Sequence, residues 1–158
     1  KKAAERGTAI HAALEGWYNI PRKSTIEMLP YCEGAAKVIG VWADADPYNA
    51  SWDAEKSFVH PLGFGGKTDL SCDGMVADFK TTDKDLATIK TWDEHSLQLS
   101  AYRFGLGMPD AHCAIVYVST KEPGTAKLIE LPEDELQRGW EMFRALLSYW
   151  QAKTGYKP

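Results

Sequence analysis

The chain has 158 residues, of which 44% are hydrophobic and 25% are charged, and its formal net charge is −4. This length predicts a single domain over residues 1–158 with a proper core, and the composition is typical of an ordinary globular protein. The negative charge argues against a dedicated nucleic-acid coat, but it leaves open a nucleic-acid enzyme with a local basic track. No apolar run approaches the roughly 20 residues of a membrane span, so we expect no membrane association.

The three cysteines, Cys32, Cys72 and Cys113, are odd in number and have no CxxC spacing. This pattern argues against a disulfide framework, a zinc ribbon or a cluster site, and it favours a reducing compartment, so we expect a cytoplasmic protein. The first residues lack the apolar region of a signal peptide. Because the chain does not begin with Met, a missing N-terminal segment stays an open alternative.

Residues 3–18 are predicted to form a helix, because apolar residues recur there at three- and four-residue spacing. This stripe comprises Ala3, Ile10, Leu14, Trp17 and Tyr18. His11 lies beside the stripe, and a histidine in such a position is more often a structural hydrogen-bonding residue than a ligand. Pro21 ends this helix, and a second helix is predicted over 31–44.

A turn at 46–49 precedes an alternating segment at 52–60, which predicts a strand. Glu55 in this strand is a candidate carboxylate for the site that the next segment indicates. An exposed glutamate beside Lys56 is an equally good interpretation of the same position.

Two further alternating runs meet at Asp73-Gly74, and this dipeptide is typical of a β-hairpin with a type I′ turn. If these two residues are the whole turn, three opposed pairs follow from the register: Leu70 with Ala77, Thr68 with Phe79, and Asp69 with Asp78. One face of the hairpin is then mostly apolar, and the other is mostly polar and charged.

The opposed Asp69 and Asp78 are the unusual feature of this hairpin. Directly opposed residues have Cβ atoms about 5 Å apart, and like charges at that distance are destabilising. Either one carboxyl group is protonated or a divalent cation lies between the two, and oxygen ligands suit Mg²⁺, Mn²⁺ or Ca²⁺. Lys80 points to the same side as Asp78, where its ammonium group could bind an anionic reacting group.

Two helices are predicted after the hairpin, a short one from Thr82 or Asp83 to about Lys90 and a better one over 94–106. Gln98 and Tyr102 lie one turn apart on the second of these helices, so both could reach one ligand. On composition alone, such a pair more often consists of ordinary surface residues that bind no ligand.

The remaining segments complete an α/β pattern. The continuous apolar run at 112–119 predicts a central strand that is buried on both faces, and 125–131 predicts an outer strand. Pro132 begins a last amphipathic helix that extends to about Lys153. The order of these segments predicts an α/β fold in which helices flank a mixed sheet.

Four short segments carry a family resemblance when they are taken together: GTAIHAALE at 7–15, GKTD at 66–69, DFKTT at 78–82 and QLSAY at 98–102. In this order they resemble the motifs of PD-(D/E)XK nucleases of the RecB-like branch, which includes phage and bacterial exonucleases and the nuclease domains of recombination helicases. Each segment alone is a weak signal, but the four in sequence on the required element types are fairly specific.

The resemblance implies a restriction-endonuclease-like three-layer α/β/α core around a mixed sheet. It also implies that the metal ligands for Mg²⁺ or Mn²⁺ are His11, Asp69, Asp78 and the Phe79 carbonyl oxygen. Asp69, Asp78 and Lys80 are then the catalytic residues. Gln98 and Tyr102 would help to hold the DNA strand near the metal, and Glu55 remains a lesser contributor.

The implied activity is a metal-dependent deoxyribonuclease of exonuclease type that acts in recombination, repair or replication in a bacterial or phage-infected cell. Its partners would be DNA, as single strands or duplex ends, and a single-strand annealing protein or a helicase. Thr68 stands where the superfamily's name has proline, and Asp78 replaces the commoner glutamate, which should bring the metal closer to its strand. The cysteines that hold an iron-sulfur cluster in some relatives have no counterpart here, so we expect no such cluster.

Two other functions are compatible with the same residues. In one, the nuclease fold is a catalytically silent DNA-binding or assembly module, and Asp69, Asp78 and Lys80 form a structural ion-pair network. Buried ion pairs are a poor source of stability, which argues against this alternative. In the other, the protein is a metal-dependent hydrolase of a small phosphoester, which would need a closed pocket that the sequence does not indicate.

Overall fold

The computed structural model describes residues 2–19, 23–45 and 51–158 of the chain. The elements in these ranges are α1 (Lys2–Tyr18), α2 (Leu29–Ala43), β1 (Asp53–His60), β2 (Phe64–Cys72), β3 (Met75–Thr82), α3 (Asp93–Gly105), β4 (His112–Ser119), β5 (Ala126–Glu130) and α4 (Glu133–Thr154). The predicted helix end at Pro21 and the predicted turn at 46–49 lie outside the described residues.

The five strands form one mixed sheet in the order β1-β2-β3-β4-β5. β3 and β4 are parallel, and every other neighbouring pair is antiparallel. A parallel pair needs a crossover connection, and the segment that contains α3 supplies it. The prediction of an α/β fold with a mixed sheet is therefore confirmed.

Helices cover both faces of the sheet and give it two separate cores. On one face, α1 and α2 bring Ile10, Leu14 and Ile39 against Leu70 and Phe79. On the other face, the helices α3 and α4 pack their apolar residues against a second set of strand side chains. That second core comprises Val76, Leu99, Ala111, Cys113, Ile115, Tyr117, Leu131 and Leu136.

The central strand β4 contributes to both cores because its side chains alternate between the two faces of the sheet. Val116 and Val118 pack on the α1 and α2 side, whereas Ile115 and Tyr117 pack on the α3 and α4 side. Every residue of β4 after His112 is buried, as the continuous apolar run predicts. The expected three-layer α/β/α arrangement is present.

The hairpin of β2 and β3 has the predicted register near its turn but not at the two aspartates. Leu70 pairs with Ala77, Ser71 with Val76, and Cys72 with Met75. Backbone pairing between β2 and β3 ends there, although β2 continues beside β1 and β3 continues beside β4. We call the residues from 70 to 77 the paired half of the hairpin, and the remainder of β2 and β3 the open half.

The turn itself is not of type I′, which needs positive φ at both central residues. Gly74 has φ +73°, but Asp73 is absent from the described non-glycine residues with positive φ, which are Asp44 and Glu55. A glycine at the second central position suits a turn in which only that residue is left-handed. The predicted turn position is thus confirmed, and the predicted turn type is wrong.

The short helix predicted over 82–90 is also wrong, because this segment forms bends and turns. Side chains from the sheet hold it instead: Lys127 Nζ donates to the Leu86 carbonyl oxygen at 2.8 Å, and the Tyr117 hydroxyl donates to the Lys90 carbonyl oxygen at 2.9 Å. The capping pattern at Thr82 or Asp83 is local, so it gives no information about these contacts with residues that are distant in sequence.

Two close contacts fix α3, the helix that carries the candidate site residues Gln98 and Tyr102. Against α4, a Cβ at Gly139 would collide with the Ser96 carbonyl oxygen, and Ser100 Oγ donates to the Leu136 carbonyl oxygen at 2.6 Å. Against β1, the Phe58 ring occupies the space that a side chain at Gly105 would need. The position of α3 over the sheet therefore depends on the small size of these two glycines.

Over the described residues, no helix combines the length and apolar character needed to cross a bilayer. Cys32, Cys72 and Cys113 are free thiols, and Cys32 and Cys113 are buried. Burial raises the pKa of the Cys113 thiol to about 12.

Candidate active site

α1 brings His11 to the open half of the hairpin. Gly7, one turn earlier on the same helical face, allows this approach, since a Cβ at Gly7 would lie 2.8 Å from Thr81 Oγ1. His11 Nε2 lies 3.0 Å from the Phe79 carbonyl oxygen and 3.5 Å from Asp69 Oδ2. A carbonyl oxygen only accepts, so a hydrogen bond here requires the proton on Nε2. A cation bound by His11 Nε2 would replace that proton.

Asp69 begins the open half on β2, and its side chain replaces the missing backbone pairing. Asp69 Oδ2 accepts a hydrogen bond from the Phe79 backbone N–H at 2.8 Å. Asp69 and Asp78 are therefore not a ladder pair, contrary to the predicted register, and neither are Thr68 and Phe79. The two carboxylates nevertheless remain close enough for the charge of Asp69 to raise the pKa of Asp78.

Glu55 lies opposite Asp69 on the neighbouring strand, and its backbone is unusual. The β1–β2 pairing includes Ala54 with Leu70 and Lys56 with Thr68 but omits Glu55. Glu55 has φ +55°, a left-handed conformation that is uncommon in non-glycine residues and often occurs at functional sites. Its carboxylate forms an ion pair with Lys67.

His11, Glu55 and Asp69 together form a three-residue cluster. One potential ligand atom from each lies within 4.8 Å of the others, and among the described residues no other group of three His, Cys, Asp or Glu side chains meets this distance. The sequence analysis predicts a lesser role for Glu55 than for the other candidates. A three-residue turn at 61–63 would have placed it opposite Asp69, because His60 pairs with Phe64.

Asp78 lies next to this cluster but does not belong to it. Its side chain is 3% exposed, and Lys80 Nζ approaches Asp78 Oδ2 to 2.7 Å. That oxygen still lacks a partner with hydrogen-bond alignment. Burial and, to a lesser extent, the negative charge of Asp69 raise the Asp78 pKa to about 6, although Lys80 and His11 oppose this shift. A buried, incompletely satisfied carboxylate beside a second carboxylate is an expected feature of a cation site.

Lys80 connects Asp78 to α3 through a chain of polar contacts. Lys80 Nζ donates to Gln98 Oε1 at 3.4 Å, and Gln98 Nε2 donates to the Tyr102 hydroxyl at 2.7 Å. The Tyr102 ring meets Phe58 edge to face at a centroid distance of 5.9 Å. Burial raises the Tyr102 pKa, so this hydroxyl keeps its proton at neutral pH. The structure therefore brings Gln98 and Tyr102 to the same site as Lys80.

No protein-family model and no curated protein matches the sequence. Among solved structures, the chain is similar to a protein from Eubacterium rectale described as a "putative exonuclease", with a TM-score of 0.57 and 12% identity over 97% of this chain and 69% of that chain. The two proteins share a fold. A second solved structure is 17% identical over 71% of this chain and 56% of that chain, but its TM-score of 0.42 is too low to support an argument.

The donor groups fit a hard divalent cation better than a soft one. Carboxylate and carbonyl oxygens suit Mg²⁺ and Mn²⁺, whereas sites for softer metals use thiolates, and none of the cluster residues is a cysteine. His11, Glu55 and Asp69 would hold such an ion, with the Phe79 carbonyl oxygen 3.0 Å from His11 Nε2. Asp78 lies beside these donors but outside the 4.8 Å cluster, so it completes the predicted ligand set only if its carboxylate moves closer to them.

Proposed function

We propose that this protein is a divalent-metal-dependent deoxyribonuclease of exonuclease type, belonging to the RecB-like branch of the PD-(D/E)XK nucleases. The observation that carries the proposal is the convergence of Asp69, Asp78 and Lys80 at the open half of the hairpin, with His11 beside them. The fold shared with a protein described as a "putative exonuclease" supports the same conclusion. The motif resemblance of residues 7–102 supports the choice of branch.

The metal ligands in this proposal are His11, Asp69, Asp78 and the Phe79 carbonyl oxygen, with Glu55 as an additional ligand. A bound Mg²⁺ or Mn²⁺ would neutralise charge on the scissile phosphate and lower the pKa of a coordinated water. Asp69 Oδ2 accepts from the Phe79 N–H at 2.8 Å, and the Phe79 carbonyl oxygen lies 3.0 Å from His11 Nε2, so two of these donors are pre-oriented.

Lys80 is the proposed catalytic lysine. Contacts of 2.7 Å to Asp78 and 3.4 Å to Gln98 orient its ammonium group beside the ligands. From there the ammonium group can orient the attacking water, or donate a hydrogen bond to the phosphate as negative charge develops in the transition state; deprotonation of the water would need the neutral amine. Asp78 has two roles, because it both holds Lys80 and supplies a ligand oxygen.

Gln98 and Tyr102 are the proposed contacts to the DNA strand. The Tyr102 hydroxyl accepts its hydrogen bond from Gln98, so its own proton remains available to donate to a phosphate oxygen. Contacts of this kind position a strand and carry no sequence information. We therefore expect cleavage with little sequence preference.

The cellular role follows from the same family assignment. We propose DNA ends or single strands as the substrate, recombination, repair or replication as the process, and the cytoplasm of a bacterial or phage-infected cell as the location. A single-strand annealing protein or a helicase is the proposed protein partner.

The decisive experiment is digestion of end-labelled single-stranded and duplex DNA with Mg²⁺ or Mn²⁺, using wild-type protein, Lys80→Ala and Lys56→Ala. Lys56 is the matched control because it is an exposed lysine whose ion pair among the described residues is with exposed Asp53. We expect Lys80→Ala to lower the cleavage rate by about 10²- to 10⁴-fold. It should retain metal-dependent DNA binding, and Lys56→Ala should cleave like the wild type.

Each alternative function has its own outcome in this assay. DNA binding without cleavage by the wild type in either metal would favour a silent DNA-binding module. Hydrolysis of a small phosphomonoester without DNA cleavage would favour a small-molecule hydrolase. Near-normal cleavage by Lys80→Ala would refute the catalytic role of Lys80.

A further inference from the structure

A groove of about 630 Å³ lies directly beside Lys80. It is bounded by the end of β3, by the segment between β3 and α3, and by the start of α3. The residues that matter for its chemistry are Lys80, Lys84, Lys90, Trp92, His95 and Tyr117.

The charge of the groove is opposite to that of the whole chain. Three lysines line it, and its described lining includes no carboxylate. The acidic residues of the same segment, Asp83 and Asp85, line the neighbouring cavity next to Ser119 instead. A protein of net charge −4 thus presents a local positive track that begins at the candidate catalytic lysine.

The wall of the groove is held in place although it has no helix. Tyr117 fixes the Lys90 carbonyl oxygen at 2.9 Å, and Lys127 fixes the Leu86 carbonyl oxygen at 2.8 Å. Within the wall, the Lys84 N–H donates to Thr82 Oγ1 at 3.1 Å. The backbone that carries Lys84 and Lys90 is therefore ordered before any ligand binds, which lowers the entropic cost of binding.

Trp92 presents a large aromatic surface at the mouth of this groove. Its side chain is 61% exposed, which is unusual for a residue of this size. Its backbone is held by His95 in both directions: the Trp92 N–H donates to His95 Nδ1 at 3.0 Å, and the Trp92 carbonyl oxygen accepts from the His95 N–H at 2.9 Å. The backbone under the exposed ring is thus fixed.

His95 adds a neutral hydrogen-bond donor to the same groove. Because Nδ1 accepts from Trp92, the ring proton lies on Nε2. Burial and the nearby charge of Lys80 both lower the His95 pKa. The imidazole can therefore donate to a phosphate oxygen without adding a further charge.

We propose that this groove binds an unpaired DNA strand, with Trp92 stacking on a base and Lys84 and Lys90 contacting phosphates. This inference rests on the proposed deoxyribonuclease function, because the groove leads to Lys80. Inside a duplex the faces of the bases are covered by stacking on neighbouring pairs, so an exposed Trp beside lysines favours a single strand over a continuous duplex. The groove would guide the strand to the ligands at the open half of the hairpin.

The test measures binding separately from cleavage. Fluorescence anisotropy in EDTA compares a labelled oligo-dT strand with a blunt duplex of the same length, over a range of salt concentrations. The first variant is Trp92→Ala, with Trp92→Phe as the conservative replacement that keeps an aromatic face. Trp150→Ala is the matched control, because Trp150 is another exposed tryptophan, at 46%, and lies on α4.

We expect the wild type to bind oligo-dT more tightly than the duplex. Trp92→Ala should weaken oligo-dT binding about tenfold, because stacking of one base is lost, and Trp92→Phe should recover most of it. The slope of log K against log salt is negative, and the double variant Lys84→Gln/Lys90→Gln should reduce its magnitude by about 1.4. This change corresponds to the loss of two phosphate contacts to a single strand. Lys153→Gln, an exposed lysine on α4, should leave the slope unchanged.

Binding of oligo-dT by Trp92→Ala as tightly as by Trp150→Ala would overturn the proposal, and so would tighter binding of the duplex by the wild type. The fate of the nuclease proposal is separate. If the wild type cleaves no DNA but binds oligo-dT through Trp92, the groove proposal is supported and the proposed nuclease function is refuted. If the wild type cleaves DNA in a Lys80-dependent way but Trp92→Ala binds oligo-dT as tightly as the wild type does, only the groove proposal is refuted.

Discussion

The two halves of the β2–β3 hairpin differ in how their backbone is satisfied. In the paired half, three residue pairs form a regular ladder between apolar neighbours such as Leu70 and Ala77. In the open half, the Asp69 carboxylate takes over the hydrogen bond of the Phe79 N–H. The same two strands thus provide rigid structure at one end and chemical groups at the other.

This difference shows how two carboxylates can lie at the candidate site without being a directly opposed pair in the sheet. A regular ladder would satisfy the backbone but would oppose the two aspartates directly, which is unfavourable for like charges. Ending the ladder at Leu70 and Ala77 frees the Phe79 carbonyl oxygen to face His11. Mutations in the open half should therefore change activity, and mutations in the paired half should change stability.

The largest expected effect is that of Asp78→Asn in the open half. Because Asp78 both contacts Lys80 and is a proposed ligand, we expect DNA cleavage to fall by at least about 10²-fold. Metal-free protein should become more stable at pH 7, because a buried carboxylate is replaced by a neutral amide. Cleavage assays and thermal melting in EDTA measure the two effects, and unchanged cleavage would remove Asp78 from the site.

The pH dependence of this stability difference has a defined sign. The Asp78 pKa of about 6 in the folded protein lies above the ordinary value of 3.8, so the folded state binds this proton more tightly than the unfolded chain does. The contribution of Asp78 to the stability of metal-free wild type should therefore increase, by on the order of 1–3 kcal/mol, as the pH falls from about 7 to about 4. Asp78→Asn lacks this contribution, so the difference between the two proteins should shrink over that range. A constant difference would contradict the raised pKa.

In the paired half, Val76→Ala should have the opposite profile. Val76 is fully buried, and shortening its side chain should cost about 2 kcal/mol in the free energy of unfolding. Val76 lies in the core on the α3 and α4 side, in the paired half, so cleavage per folded molecule should stay close to that of wild type. Urea unfolding and cleavage assays below the transition measure both quantities. A large loss of cleavage would mean that the two halves are not independent.

A smaller effect is expected for Gly7→Ala, which tests how α1 places His11. The new Cβ would lie 2.8 Å from Thr81 Oγ1, which is too close, and a shift of α1 away from β3 to relieve this contact would carry His11 with it. We expect Mn²⁺ affinity to fall about tenfold, as for other residues that orient a metal ligand. Because alanine favours helices, thermal stability is a poor readout, and calorimetric metal titration is the right one.

The matched control for this prediction is the double variant Gly7→Ala/Thr81→Ala. Removing the Thr81 hydroxyl relieves the close contact, so affinity should return towards that of the wild type. Equal affinities of the single and double variants would show that the contact at Gly7 does not govern the position of His11.

Much of the fold follows from patterns that are local in sequence. The apolar stripes predict α1, α2, α3 and α4, and the alternation around Asp73-Gly74 predicts the register of the paired half. The prediction of an opposed Asp69 and Asp78 is wrong because the ladder stops before them. Sequence spacing fixes which residues would pair if a ladder continued, but a side-chain hydrogen bond decides whether it does continue.

Other features depend on contacts between distant parts of the chain. The helix predicted over 82–90 does not form, since Tyr117 and Lys127 bind carbonyl oxygens of that segment from β4 and β5. His11 approaches Phe79 across 68 positions of sequence, so only the family motif, and no local pattern, indicated this contact. The roles of the candidate ligands remain predictions until metal binding is measured.

The left-handed backbone of Glu55 also affects how the protein meets its neighbours in solution. β1 is an edge strand, and an edge with a continuous row of free N–H and C=O groups can add a strand from another molecule. At Glu55 that row is interrupted, and the exposed charged residues Asp53 and Lys56 flank the interruption. The residue that offers a third potential ligand atom to the cluster thus also interrupts the edge along which a strand of another molecule could pair.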